Sequence, residues 1–143
     1  MNLYDILYSL RKFLAEQTGV RTDIIYDGYK YPKTKPFMTL ETLMDERIYR
    51  VKRREAVQSI EHIQLSYHAE HFADRTRMAD EISDLLTFNK IPLIKADGSD
   101  SHIGFFDVEV TAVIPMPAED LARESEKHRV HFDLEIMRIK RRG

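Results

Sequence analysis

The segment from His62 to His68 constrains the fold more than any other part of this chain. Every second side chain in it is apolar, and within a few residues the apolar spacing changes to three and four. Because side chains alternate sides along a strand but share one face about every 3.6 residues along a helix, this segment predicts a half-buried strand that leads directly into an amphipathic helix. We expect the helix to start between His71 and Arg75. Its apolar stripe consists of Met78, Ala79, Ile82, Leu85 and Leu86.

The chain opens with another helical pattern. Apolar side chains recur there at spacings of three and four, which places them on one stripe of a helix: Leu3, Ile6, Leu7, Leu10 and Leu14. Asn2 can cap the start of this helix, because its side-chain oxygen can accept a hydrogen bond from a free backbone N–H. Gly19 can end it, because glycine readily adopts the left-handed conformation that closes many helices.

A loop and a long hairpin are predicted between the two helices. Thr22–Tyr26 is a short β-prone run, and Asp27–Pro36 predicts an exposed loop because it contains two prolines and a glycine. Residues 37–68 predict a long antiparallel hairpin. The phase of its first strand drifts near Ile48, which indicates a twist or a bulge. The tip of this hairpin is basic and includes Arg50, Lys52, Arg53 and Arg54.

Two more half-buried strands are predicted after the second helix. Phe106–Ile114 and Val130–Ile136 each alternate apolar with polar side chains. Pro92 is expected to interrupt the chain before them, and Asp97-Gly98 to form a turn. The stretch between the two strands is acidic and predicts a long excursion, of which Ala118–Lys127 should be mobile in an isolated subunit and ordered by a neighbour.

This order of elements predicts an α+β fold. We expect an antiparallel sheet of strands of mixed length, with two amphipathic helices packed on one of its faces, in a single domain over residues 1–143. The other face of such a sheet can remain wet unless a partner covers it. The expected core residues are Leu7, Leu10, Ile63, Leu65, Ile82, Leu86, Val110, Phe132 and Leu134.

Composition excludes several classes of protein. With 43% hydrophobic and 32% charged residues, the chain is too apolar for a disordered segment and too charged for a membrane protein. It has no cysteine, which excludes disulfides, thiolate nucleophiles and zinc-thiolate sites. The net charge of −2 gives no general attraction to nucleic acid. We therefore expect a soluble globular protein that folds in the cytoplasm.

Few residues have spacings that suggest chemistry. His68 and His71 could ligate a metal, but one leaves a strand as the other approaches a helix, so we expect both to be solvated surface histidines. His128 and His131 are likewise expected to be ordinary polar surface. Asp97-x-x-Asp100 lacks the ligand spacing of a calcium loop. No nucleophile elbow, P-loop or dinucleotide fingerprint occurs. The sequence thus predicts no catalytic, cofactor or metal residue and no enzyme.

Charged clusters are the remaining candidates for function. A basic hairpin tip, a basic tail and the acidic excursion could each match an oppositely charged partner. Such charges could also serve only to protect strand edges from aggregation, or the basic ones could contact phosphate. The candidate interface residues are Arg50, Lys52, Arg53, Arg54, Glu119, Asp120, Glu124, Arg138, Lys140, Arg141 and Arg142.

The whole pattern resembles the tail terminator or tail completion proteins of long-tailed bacteriophages, together with related minor capsid proteins of the head-to-tail neck. The resemblance covers nearly the whole chain. It rests on the leucine-striped opening helix, the segment Pro36–Leu40, the basic hairpin, the passage Ile63–Leu86 and the closing strand Val130–Ile136.

This resemblance implies a virion protein that is assembled in the cytoplasm of the bacterial host. It implies a ring of six copies on the head-proximal end of the tail tube, with the tube protein and the head-tail connector as partners. It implies no membrane, no cofactor and no sequence-specific nucleic acid. The alternatives are another neck or tube-like structural protein, and, from different classes, a small host enzyme or a nucleic-acid-binding regulator.

Overall fold

Helix α1 runs from Leu3 to Thr18 and has the two ends that the sequence predicts. The Asn2 side-chain oxygen accepts a hydrogen bond from the backbone N–H of Asp5 at 2.8 Å, and the Asp5 carboxylate accepts one from the backbone of Asn2 at 3.4 Å. Such a reciprocal pair satisfies two backbone donors that the helix itself cannot. Gly19 ends the helix at a φ of 71°.

A computed structural model describes the backbone of residues 2–43, 47–50, 56–116 and 128–141. Side chains are described for residues 2–43, 58–116 and 128–139. The elements that follow α1 are β1 (Thr22–Ile24), β2 (Phe37–Thr42), β3 (Arg47–Arg50), β4 (Ala56–His68), α2 (Phe72–Phe88), β5 (Ile91–Ile94), β6 (His102–Phe106), β7 (Glu109–Pro115) and β8 (Arg129–Arg141).

The main sheet has the strand order β1-β2-β4-β8-β7, with β3 also paired to β4. All of its pairs are antiparallel except β1 with β2, which is parallel. The predicted α+β fold with two helices is confirmed, but the sheet is mixed rather than fully antiparallel. The reason is the long connection of residues 25–36, which lets the chain return and lay β2 beside β1 in the same direction.

The long antiparallel pairing predicted for residues 37–68 is present. Both β2 and β3 pair with β4. The register differs between the two pairings, as Thr42 lies opposite Ile63 and Arg47 lies opposite Ile60. The shift falls between Thr42 and Arg47, before the predicted drift near Ile48. Of the predicted basic tip, Arg50 ends β3, whereas Lys52, Arg53 and Arg54 lie outside the described residues.

The core lies between the two helices and one face of the main sheet, here called the helix face. It joins residues of α1, α2, β2, β4 and β8 into one cluster. The predicted core residues are buried, except for Val110, which is half-buried and packs at the edge of the cluster. Apolar residues that share the helix face are Met38, Leu40, Ile63, Leu65, Tyr67, Val130, Phe132, Leu134 and Ile136.

The single strand predicted over Phe106–Ile114 is wrong. The segment forms two strands in different sheets, because β6 pairs with β5 in a separate two-stranded sheet and β7 pairs with β8. Pro92 does not interrupt the chain but lies inside β5, which pairs on one side only. A register shift between Val110 and Ala112 reverses the phase of β7 and leaves Ile114 exposed.

Polar side chains of α1 hold the β5–β6 hairpin in place. The Ser9 hydroxyl donates to the backbone oxygen of Ile94 at 3.2 Å and accepts from its N–H at 2.8 Å. The Asp5 carboxylate accepts from the backbone of Ala96 at 2.9 Å. These bonds fix the hairpin against the helix, and with it the path of the chain into β7. No helix in the described part of the chain is long and apolar enough to span a membrane.

Candidate functional site

The sheet face turned away from the helices, here called the outer face, has two different halves. Strands β4 and β8 pair along their full lengths, from His68 with Arg129 to Ala56 with Arg141. Thirteen residues extend about 43 Å at roughly 3.3 Å per residue, whereas the 16 residues of α1 extend about 24 Å. The strands are therefore longer than α1, and the two halves of their outer face have different surroundings.

One half of the outer face is buried although most of its side chains are polar, and we call it the covered half: Phe37, Ser66, His68 and His131. The Phe37 and His68 rings are stacked, with centroids 4.2 Å apart and an interplanar angle of 12°. Tyr31, from the loop before β2, packs against both of these rings. His68 is 1% exposed as a result.

A hydrogen-bonded chain satisfies the second histidine of the covered half. Ser66 Oγ lies 2.9 Å from His131 Nδ1, and the Arg129 guanidinium donates to His131 Nε2 at 3.0 Å. Because a guanidinium can only donate, Nε2 is an acceptor here and the ring is neutral. The proton is therefore on Nδ1 and is donated to the serine hydroxyl.

The prediction that His68 and His131 are solvated surface residues is wrong. Both are buried on the covered half, and sequence periodicity could not place Tyr31, since that residue lies in a loop. His71 is solvent-exposed as predicted, and its imidazole is 3.8 Å from the Glu70 carboxylate. His68 and His71 therefore do not form a common site. Within the part of the chain that the structure describes, no group of three or more histidine and carboxylate side chains could hold a metal ion.

The other half of the outer face is apolar but exposed. Ile60 pairs directly with Met137, and Ile139 lies two residues further along β8 on the same face. Phe105, from β6, lies beside them. The exposed fractions are 53% for Met137, 47% for Ile139 and 59% for Phe105. We call these four side chains the arm patch. Exposed apolar surface of this kind is typical of protein interfaces.

Two shallow grooves shape the arm patch, and Met137 and Asp107 line both of them. One groove has a volume of about 280 Å³ and the other of about 250 Å³. Asp107 and Glu109 are exposed and place two carboxylates at the rim of the first groove. β7 begins only at Glu109, opposite Glu135, so it does not pair with the part of β8 that carries Met137 and Ile139.

Arg138, a predicted interface residue, is not a solvent-facing cation. It follows Ile136 by two positions and so points to the helix face, where its guanidinium lies 2.7 Å from the Glu61 carboxylate. Both residues are 6% exposed. Strand phase explains this placement, since adjacent residues of β8 point to opposite faces. Arg138 contributes to the interior, and its neighbour Met137 to the surface.

The other predicted interface residues are not placed as side chains. Arg50 ends β3 and Arg141 ends β8. Lys140 pairs with Val57 on β4. The remaining positions lie outside the described residues: Lys52, Arg53, Arg54, Glu119, Asp120, Glu124 and Arg142. The expectation of mobility for Ala118–Lys127 lies outside them as well.

A second concave surface, the tyrosine groove, lies between α1 and β1. Its volume is about 470 Å³, and its lining is Tyr4, Tyr8, Arg11, Arg21, Asp23, Ile24, Tyr26 and Tyr29. Tyr4 is 58% and Tyr26 66% exposed. The Arg11 guanidinium lies over the Tyr8 ring, 5.3 Å from its centroid. Tyrosine and arginine are enriched at protein interfaces.

Asp23 organises the floor of the tyrosine groove. Its carboxylate accepts hydrogen bonds from Arg21 Nε at 3.0 Å and from the Tyr29 hydroxyl at 2.7 Å. Burial and the bond to Asp23 raise the pKa of Tyr29. The Tyr29 hydroxyl is therefore neutral at physiological pH and acts as a donor. These bonds hold Arg21 and Tyr29 against Asp23 in the lining of the groove.

The predicted turn at Asp97 and Asp100 has a structural use. The Asp100 carboxylate accepts hydrogen bonds from the Tyr8 hydroxyl at 2.7 Å and from Lys12 at 3.2 Å. These bonds lower the pKa of Asp100. Hydrogen bonds from Ser99 lower the pKa of Asp97. The two carboxylates close the β5–β6 hairpin and connect it to α1.

Sequence reasoning missed both the arm patch and the tyrosine groove. A signal for the first exists, because Ile136, Met137 and Ile139 break the alternation of β8 and make both of its faces apolar. The tyrosine groove joins α1 to residues 21–29, and only the packing of β1 reveals it. Comparison of the chain with profiles of known protein families and with curated protein sequences finds no match.

Proposed function

We propose that this protein is a structural subunit of a long-tailed bacteriophage. Six copies would form a ring on the head-proximal end of the tail tube, stop its polymerisation and provide the surface that joins the head connector. The arm patch is the observation that carries this proposal. A subunit that leaves Ile60, Phe105, Met137 and Ile139 partly in water has a surface suited to a protein partner.

The size of the arm patch favours assembly that depends on a template. Complete burial of a large apolar side chain contributes about 1.5–3 kcal/mol, so four partly exposed ones can contribute only roughly 3–6 kcal/mol. Association of two free proteins costs at least about 4 kcal/mol in lost motion. We therefore expect the protein to be largely monomeric in dilute solution and to close into a ring where a tube end holds several copies together.

Two different surfaces on one subunit favour a ring over a symmetric dimer. The tyrosine groove lies at the β1 edge of the sheet, and the arm patch lies on β4, β8 and β6. When two copies associate through unlike surfaces, the pair still has one free groove and one free arm patch. Further copies can therefore add until the rotation between neighbours closes a ring. The basic residues Arg50, Lys52, Arg53 and Arg54 are candidate contacts to the tube or the connector.

Tube assembly in the presence of the protein tests this proposal. A tail tube protein that polymerises on its own should give tubes of limited length when this protein is added, and electron microscopy should show a six-membered ring at one tube end. Bovine serum albumin at the same concentration serves as the control and should leave tube length unchanged. The proposal would be contradicted if tubes grew to unlimited length and had no ring at either end, with several tube proteins from both contractile and non-contractile tails.

A further inference from the structure

We infer that the arm patch of one copy docks into the tyrosine groove of the next copy. This inference rests on the proposed ring and names the contact that would close it. The two surfaces differ in chemistry, because the arm patch is apolar with an acidic rim and the tyrosine groove is aromatic and contains Arg11. The arm patch lies on the end of a long sheet, and the tyrosine groove is a concavity of about 470 Å³ between a helix and an edge strand.

The apolar parts of the two surfaces match. The arm patch offers the Met137 thioether, two isoleucines and the Phe105 ring, and the groove offers tyrosine rings of which Tyr4 and Tyr26 are more than half exposed. Methionine sulfur makes favourable contacts with aromatic rings, and its flexible side chain adapts to an irregular partner surface. Tyrosine gives a large contact area at a low cost in conformational entropy.

The charges of the two surfaces also match. Arg11 stacks on Tyr8 and has no carboxylate partner in the described part of the chain, whereas Arg21 in the same groove is paired with Asp23. At the rim of the arm patch, Asp107 and Glu109 have no cationic partner within residues 2–43, 58–116 and 128–139. Arg11 is therefore positioned to pair with the acidic rim of a neighbouring copy.

The same charges argue against a symmetric contact. If two arm patches met face to face, the Asp107 and Glu109 carboxylates of both copies would be brought to one interface. Like charges placed together at an interface cost free energy and suppress that pairing. A second copy that presents its tyrosine groove instead brings Arg11 to the carboxylates.

The absence of cysteine from the chain permits a direct test by cross-linking. One variant carries Tyr4→Cys in the groove, and another carries Phe105→Cys in the arm patch. Under mild oxidation at tube ends, a mixture of the two should give a disulfide-linked dimer containing one copy of each. As a matched control, Phe88→Cys replaces a phenylalanine that is 78% exposed at the end of α2, and it should not cross-link to Tyr4→Cys.

The outcomes separate this inference from the proposed function. Rings formed by the two cysteine variants without the mixed dimer, or a Phe105→Cys dimer with itself in preference to the mixed one, would overturn the docking mode and leave the proposed ring intact. If wild-type protein forms no ring at tube ends, the proposed function fails and the docking mode fails with it.

A charge exchange gives a second test that does not depend on cross-linking. Arg11→Glu should weaken ring formation about tenfold, and so should Asp107→Arg combined with Glu109→Arg. All three changes in one chain should restore most of the loss. Lys90→Glu, at another exposed position, is the control and should change nothing. Thermal melting should be nearly equal in all variants. Failure of the triple variant to recover, with melting unchanged, would contradict the pairing.

Discussion

The covered half and the β4 and β8 residues of the arm patch lie on the outer face of the same sheet. Together they reverse the usual rule that polar side chains are exposed and apolar side chains are buried. In the covered half, the polar residues Ser66, His68 and His131 are buried. In the arm patch, the apolar residues Met137 and Ile139 are about half exposed. A loop of the same chain contributes the Tyr31 ring to the first half, and we propose that another copy of the chain covers the second. What covers a strand therefore decides the exposure of its side chains.

The largest expected effect separates two adjacent residues of β8. Arg138→Met leaves the Glu61 carboxylate buried without its partner, and we expect it to lower the free energy of unfolding by about 3–5 kcal/mol. Met137→Ser, one residue earlier, removes a side chain that is 53% exposed and should change stability by no more than about 0.5 kcal/mol. Urea unfolding of both variants gives the measurement.

Removing both charges of the buried Glu61–Arg138 pair provides the control. Glu61→Leu combined with Arg138→Met removes both charges, so the double variant should recover most of the stability lost by the single one. If Arg138→Met alone left the unfolding midpoint unchanged, the pair would not be buried, and the assignment of Arg138 to the helix face would be wrong.

Two phenylalanines give the next largest contrast. Phe37 is fully buried on the covered half, so Phe37→Ala should cost about 3–5 kcal/mol through the cavity it leaves and the lost stacking on His68. Phe105→Ala should cost little in the isolated subunit but should weaken ring formation. Thermal melting and ring formation are measured for both. Equal losses of melting temperature would remove the distinction between the two halves.

The smallest expected effect concerns pH. Hydrogen bonds from Tyr8 and Lys12 lower the pKa of Asp100 below its ordinary value of 3.8. A carboxyl with a lowered pKa in the folded state stabilises the fold above its ordinary pKa, and that contribution disappears as the pH falls through the lowered value. Asp100→Asn should therefore lower the melting temperature slightly at pH 7, and this difference from the wild type should disappear as the pH falls below about 4.

This effect should be small because Tyr8, Lys12 and Asp100 meet at an exposed part of the molecule. Glu109→Gln is a suitable control. It removes an exposed carboxylate that has no ion pair among the described residues, and it should leave the melting temperature at pH 7 as it is in the wild type. Identical pH profiles for wild type and Asp100→Asn would show that the contact does not hold the hairpin to α1.

Local pattern predicts the parts of this fold that local physics determines. The caps at Asn2 and Gly19 and the phase of Ile63, Leu65 and Tyr67 depend on neighbouring residues, and they are confirmed. Three of the five residues of the predicted α2 stripe are buried, namely Met78, Ile82 and Leu86. The parallel pairing of β1, the separate β5–β6 sheet and the burial of the two histidines depend on where distant segments meet. Periodicity contains no information about such contacts.

The candidate site was harder to predict than the fold. Charge clusters attract notice in a sequence, but strand phase turns Arg138 inward and Met137 outward, and a short run of sequence does not reveal which face is covered. The break in the alternation of β8 at Ile136 and Met137 was the available signal. A strand that is apolar on both faces needs two partners, and the helices supply only one of them.

The most direct test of the proposed assembly is a count of subunits at the tube end. Electron microscopy with averaging along the tube axis should show six copies of the wild-type protein in a closed ring, and Met137→Glu should abolish that ring while its melting temperature stays close to that of the wild type. A symmetric dimer as the largest species, or a six-membered ring that forms equally well with Met137→Glu, would contradict the claim that the arm patch is the assembly surface.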